Sequence, residues 1–510
     1  MVAKVVSGGV HGIEGYQVNV ETDISDGLPG FELTGNLGSE VREARERVKT
    51  ALKNTGYYLP IGRITVNLSP SDRRKYGTVY DLPMAVSILC AMREIPVEAI
   101  ENTMFAGELM LSGIVRPVKG ILPMVLKAKS LGISKCIIPA DNSQEGALVS
   151  GIDVIGVSNL AEAINYLKGQ IDISPTVSQY NSVPADAVYD MDMSQINGQH
   201  LARRGMEIAA AGYHNLMFIG PPGAGKSMLA KCIPSIMPPL SIEECLQISS
   251  IYSVGGLLNT ENGIITRRPF ISPHHTATDI AIIGGGTHPK PGAVSFAGKG
   301  VLFMDEFPEF SRNTLESLRQ PLEDRRVIVS RSLDSIEYPA DFMLVAAMNP
   351  CPCGMYPDLN KCTCTQTSRM RYLGKLSKPL LDRIDICLQV EKVKTGELLT
   401  AKSNESSLEV RKRVEKAHQI QRDRFKGTSI CFNSQMLNND IEKYVRLGGS
   451  ETHMLKQLID KYDLSARGYY RILKVSRTIA DLAGREEINE NDLLEAIRLK
   501  CNSEILHDIY

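Results

Sequence analysis

The chain reads as a multidomain α/β protein, and three observations carry that expectation. Strand-like and helix-like stretches alternate through most of its 510 residues, a length beyond what one hydrophobic core spans. A glycine-rich loop, Gly220-Pro221-Pro222-Gly223-Ala224-Gly225-Lys226-Ser227, sits between the apolar run Leu216-Met217-Phe218-Ile219 and the helical Met228-Leu229-Ala230. The C-terminal portion is rich in helical spacing, as in Asp492-Leu493-Leu494-Glu495-Ala496-Ile497.

Taken in order, residues 1–169 form an α/β domain, with strands expected at Ile64-Thr65-Val66-Asn67-Leu68 and Cys136-Ile137-Ile138-Pro139 and a helix from Val41 to Thr55. Residues 170–190 are polar, carry Pro175 and Pro184 and show no periodicity, so they read as a linker. Residues 191–395 form a nucleotide-binding core, with apolar strands at 215–219, 300–304 and 342–347. Residues 396–510 are a helical domain in which Asn433-Ser434 and Ser465 are expected helix N-caps.

Lys plus Arg (57) nearly balances Asp plus Glu (58), so any nucleic-acid-binding surface has to be local. The sequence contains no stretch of about eighteen apolar residues and no charged N-terminal segment leading into an apolar one. A soluble, cytoplasmic protein without membrane attachment is the expectation. Seven of the eleven cysteines are scattered, mostly among apolar neighbours, and in a reducing compartment they are small core residues.

The glycine-rich loop fits G-x-x-x-x-G-K-[ST] in the strand-to-helix context that gives the motif meaning. Backbone N–H groups from Gly220 to Gly225 and the helix N-terminus hold phosphates, Lys226 reaches the β/γ oxygens and Ser227 ligates magnesium. The apolar strand ending in Asp305-Glu306 places Asp305 beside that magnesium and Glu306 where it activates water. The run ending in Ala347 delivers Asn349, a neutral amide suited to orienting the attacking water or sensing the γ-phosphate.

These segments together resemble the AAA+ superfamily, in the magnesium-chelatase-like branch that includes the ComM/YifB proteins. The likeness spans nearly the whole chain and rests on Ile196-Asn197-Gly198-Gln199, the phosphate loop, Ser272-Pro273-His274-His275-Thr276, Pro289-Lys290-Pro291-Gly292, Asp305-Glu306, Asn349-Pro350 and Leu380-Leu381-Asp382-Arg383-Ile384-Asp385. The resemblance implies ATP and Mg2+ as ligands and a homo-oligomeric ring, expected to be a hexamer. It makes Arg383 the arginine finger on a neighbouring subunit's γ-phosphate, where a rigid guanidinium offsets the spreading charge of phosphoryl transfer. Ser465-Ala466-Arg467-Gly468 resembles the sensor 2 motif and makes Arg467 the lid contact to phosphate; Arg471 and Arg477 lie on the same stretch.

Two insertions follow from the same resemblance. The long segment at 259–299 contains the helix-2 insertion with Lys290, and the hairpin around Leu333-Asp334-Ser335 carries Arg325, Arg326 and Arg331. In related DNA motors such elements line a pore, where cations track phosphates without reading bases. An edge hairpin with solvated arginines is the alternative. His274, His275 and Asp279 suit structural hydrogen bonding better than a metal, since no fourth ligand has suitable spacing.

Cys351, Cys353, Cys362 and Cys364 form C-x-C-x8-C-x-C, enough for a closed tetrahedral zinc site, with a redox pair or free thiols as alternatives. Residues 1–169 resemble the Lon protease proteolytic domain (a ribosomal S5 domain 2-like fold), through Lys75 to Pro83 and Gly107 to Gly120. Val79 and Leu122 fall where the protease carries its nucleophilic Ser and basic Lys, so a protease-like fold without protease activity is expected. Three functions remain open: a ring ATPase that translocates on single-stranded or branched DNA, a magnesium-chelatase-type ATPase driving metal insertion into a tetrapyrrole, and an ATP-dependent protein remodeller.

Overall fold

A computed structural model describes residues 2–178, 189–258, 263–286, 289–330, 335–393, 404–462 and 465–501. They fall into two compact units. The first comprises Met1–Val183, Ser241–Thr266 and Ser332–Glu337, and the second Pro184–Leu240, Arg267–Arg331 and Tyr338–Tyr510.

A seven-stranded mixed sheet organises the first unit, in the order Gly30–Thr34, Arg63–Ser69, Glu14–Ser25, Ala3–His11, Thr103–Phe105, Lys135–Pro139, Asp153–Val157. Ala3–His11 and Glu14–Ser25 pair antiparallel across a two-residue turn, where Gly12 takes the left-handed φ (65°) that such a turn needs at its first central position. Helices Ser39–Asn54, Asp81–Ala91 and Ile121–Ser130 cover the sheet. Asp81–Cys90 is buried on every side, so its apolar run lacks helical periodicity.

The second unit is built on a five-stranded parallel sheet in the order Phe270–Ile271, Val301–Met304, Met343–Met348, Leu216–Ile219, Ile386–Gln389. The three central strands are buried end to end, as strands covered on both faces must be. Strands Arg326–Ser330 and Ser335–Pro339 make a separate two-stranded sheet, with the intervening turn outside the described residues. Helices Ser407–Arg424, Ala466–Leu482 and Glu490–Cys501 share one apolar core with the sheet.

Two local readings differ from the sequence. Residues 241–266, placed by sequence within the nucleotide core, pack in the first unit: helix Ile242–Gly255 lies against Ile121–Ser130, and the Ser253 hydroxyl donates to Glu145. An apolar helix face shows that it is buried but does not name its partner. Ser465 caps its helix by accepting from Gly468 N–H, whereas Asn433 is no cap. Its buried amide donates to Thr478 (3.1 Å) and Asp481 (2.8 Å). Residues 179–188 of the expected linker lie outside the described residues.

Candidate nucleotide-binding site

The site forms where strand Leu216–Ile219, central in the parallel sheet, turns into helix Lys226–Ile236. Gly220 has no alternative, since a Cβ there would sit 2.1 Å from the Val390 carbonyl oxygen. Gly225 adopts φ 88°, the left-handed turn that opens the helix with its N–H groups free for an anion.

Lys226 is buried, and desolvation pulls its ammonium below the ordinary lysine range. It donates to the Gly220 carbonyl (2.7 Å), the Pro221 carbonyl (3.0 Å) and the Asn349 amide oxygen (3.1 Å). The Ser227 hydroxyl donates to Asp305 at 2.7 Å, and the other Asp305 oxygen accepts from Glu306 N–H at 2.9 Å. Pro222 to Met228, Asp305, Glu306, Met348 and Asn349 line a cavity of about 410 Å³. The residues fit a magnesium nucleotide. Lys226 is held only by neutral oxygens, which phosphate oxygens replace at a gain, and Ser227 with Asp305 converges two hard oxygen ligands on one point.

Two side chains that contact the expected catalytic residues were not assigned a part there by sequence. His275 Nδ1 lies 3.1 Å from Glu306 Oε2, while its neighbour His274 bonds Thr276. Glu323 pairs with Arg383 and lies 3.7 Å from Arg467. Both come from segments distant in sequence from their partners, so no local pattern signals them.

Arg383 is turned inward. Its guanidinium is buried, bonded to Glu323 and to the Pro379 carbonyl (2.6 Å). Arg467 is exposed, whereas Arg471 bonds Asp385 and the Arg383 carbonyl and Arg477 is fully buried against Asp481. Burial pushes the Asp385 carboxyl up, but the Arg471 guanidinium, the nearby His214 ring and the Asn215 N–H outweigh it and hold the group well below the usual carboxylate range. Asp385 thereby fastens the start of strand Leu216–Ile219 to the helix bearing Arg467.

Lys290 and Arg326 are exposed. Arg325 is committed at the hairpin base, 2.9 Å from Asp341, which also receives Lys299. Arg331 lies outside the described residues.

The sulfur atoms of Cys351, Cys353, Cys362 and Cys364 all lie within 4.8 Å of one another. Met355 N–H pulls the Cys353 thiol down to about 6 against desolvation, with help from Thr363 N–H. In the first unit Val79 and Leu122 are buried core residues, and the Thr78 hydroxyl donates to Glu108 at 2.6 Å.

A phosphate loop, two acids ending the next strand but one and a polar amide beyond the strand between them, all on a parallel sheet, define a P-loop NTPase-like protein. Comparison with known proteins narrows the class. The family profile "Magnesium chelatase, subunit ChlI" matches residues 192–398, "Subunit ChlI of Mg-chelatase" residues 20–142, and "Magnesium chelatase, subunit ChlI C-terminal" residues 404–500. An uncharacterized protein of Mycobacterium tuberculosis is 40% identical over 498 residues, 98% of each chain. Competence protein ComM of Haemophilus influenzae is 39% identical over 511 residues, 99% of each chain. YifB of Escherichia coli, itself uncharacterized, is 39% identical over 502 residues, 97% of this chain and 96% of its own.

The chain belongs to the magnesium-chelatase-like AAA+ ATPase family, in the branch that includes ComM and YifB. The likeness to a protease is partial: Lon protease 2 of Bacillus subtilis is 29% identical over 163 residues, 30% of this chain and 28% of its own. Among the described residues no helix is long and apolar enough to cross a membrane.

Proposed function

We propose that this protein is a ring-forming ATPase, hexameric by family expectation, that couples ATP hydrolysis to movement along single-stranded or branched DNA. The observation that carries the ATPase half is the convergence of Lys226, Ser227, Asp305 and Asn349 on one cavity. Lys226 and the loop N–H groups bind phosphate, Ser227 and Asp305 hold Mg2+, Glu306 accepts the proton of the attacking water and Asn349 orients that water. Arg383, released from Glu323, reaches across to a neighbouring subunit's γ-phosphate, with Arg467 as the lid contact. The DNA half is supported by the full-length likeness to a competence protein and by the exposure of Lys290 and Arg326.

The test is steady-state ATP turnover by wild type and Glu306→Gln, with and without forked DNA, four-way junctions and protoporphyrin, beside a branch-migration gel. Junction-stimulated turnover, with strand products lost in Glu306→Gln, is expected. Stimulation by the porphyrin alone would favour metal insertion, the activity in the family's descriptive name. Turnover indifferent to all three would favour protein remodelling.

A further inference from the structure

We propose that Cys351, Cys353, Cys362 and Cys364 form a structural zinc site that braces the phosphate loop, so that metal occupancy sets nucleotide affinity. The inference rests on the ATP-binding reading above and concerns residues outside the nucleotide contacts.

Geometry supplies the first step. A regular tetrahedron of sulfurs with Zn–S arms of about 2.3 Å has edges of about 3.8 Å. Here Cys351 and Cys353 sulfurs are 3.4 Å apart, Cys351 and Cys362 3.8 Å, and Cys353 and Cys362 3.6 Å, with Cys364 within the same cluster. Four thiolates this close repel one another unless a cation sits between them. A dication fills that role and releases the thiol protons, and four sulfurs leave no open position for chemistry.

The second step is the contact beyond the metal. Gly354, directly after Cys353, adopts φ 78° and closes a tight turn by donating its N–H to the Cys351 carbonyl (2.9 Å). A Cβ on Gly354 would come within 2.4 Å of Pro222 Cδ and 2.8 Å of Pro222 Cγ. The turn is therefore seated on a rigid ring of the phosphate loop, with no room between them. The third step runs along the backbone: Asn349, two residues before Cys351, holds Lys226 at 3.1 Å. The knuckle thus fixes the loop from one side and its lysine from the other, and collapse of the knuckle releases both.

The experiment measures zinc per chain by mass spectrometry and affinity for a fluorescent ATP analogue, on full-length wild type, Cys353→Ser/Cys362→Ser and Gly354→Ala. Expected are one zinc in wild type, none in the double variant, and nucleotide binding weakened about tenfold or more there. Gly354→Ala retains its zinc but weakens binding similarly, because the added methyl displaces Pro222. Thermal melts show whether the double variant is folded; if it is not, Gly354→Ala decides. Wild type purified without chelators yet free of zinc overturns the metal site, and undiminished affinity in zinc-loaded Gly354→Ala overturns the coupling. A wild type that binds no nucleotide overturns the ATPase reading itself, a distinguishable failure.

Discussion

His275 Nδ1 stands 3.1 Å from Glu306 Oε2, so the carboxylate that would activate water is held by an imidazole from another segment of the second unit. Glu306 itself adopts φ 51°, a left-handed conformation rare for a side chain with a Cβ and common where strain serves function. A carboxylate oxygen turned toward a ring nitrogen has to leave it before it can take the proton of a water at a bound phosphate. His275→Ala is therefore expected to raise ATP turnover without DNA several-fold, whereas Glu306→Gln lowers it about 100-fold or more. A tenfold fall in His275→Ala turnover would show instead that the imidazole aims the base.

Arg383 makes a second prediction. An arginine that acts in trans has to leave Glu323, and the same Glu323 faces Arg467. Glu323→Gln removes the charge that holds both and keeps the shape. Turnover of Glu323→Gln should exceed wild type at low protein concentration, and Arg383→Ala should cost about 1,000-fold. Turnover measured against protein concentration separates the two, since an arginine acting within its own subunit gives no concentration dependence.

His418 sets a pH dependence of stability. It is buried and stacked on Phe432 at 4.5 Å, and desolvation, with Arg422 and Arg268 nearby, lowers it to about 3 from an ordinary value near 6.5. The unfolded chain therefore binds a proton that the folded one refuses, and stability falls as pH drops from about 6.5 towards 3, by about 1.4 kcal/mol per pH unit from this group. His418→Phe should flatten the fall in Tm between pH 6.5 and 5. An unchanged slope in that window would assign it to other groups.

The first unit should not cleave protein. Val79 and Leu122 are apolar and buried, and Thr78 is engaged with Glu108. Casein incubated with the protein and ATP is expected to stay intact; cleavage abolished by Thr78→Ala would overturn this.

The residue order alone determined what depends on neighbours in the chain. Gly220 to Ser227 specify a phosphate loop because glycines at those steps permit the turn and the strand and helix flank it directly. Strand Val301–Met304 ends at Asp305 because a buried apolar run gives way to charge, and the four cysteines are paired closely enough in sequence to meet in one cluster. Tertiary structure alone decided the pairings between distant segments: His275 with Glu306, Glu323 with Arg383 and Arg467, Gly354 on Pro222, and helix Ile242–Gly255 with the first unit. It also turned Asn433 from an expected cap into a buried hub for Thr478 and Asp481. The physical reason is that a loop or strand end is fixed by local backbone geometry, whereas a buried polar or charged group takes whichever partner the packing of remote elements brings within hydrogen-bonding distance.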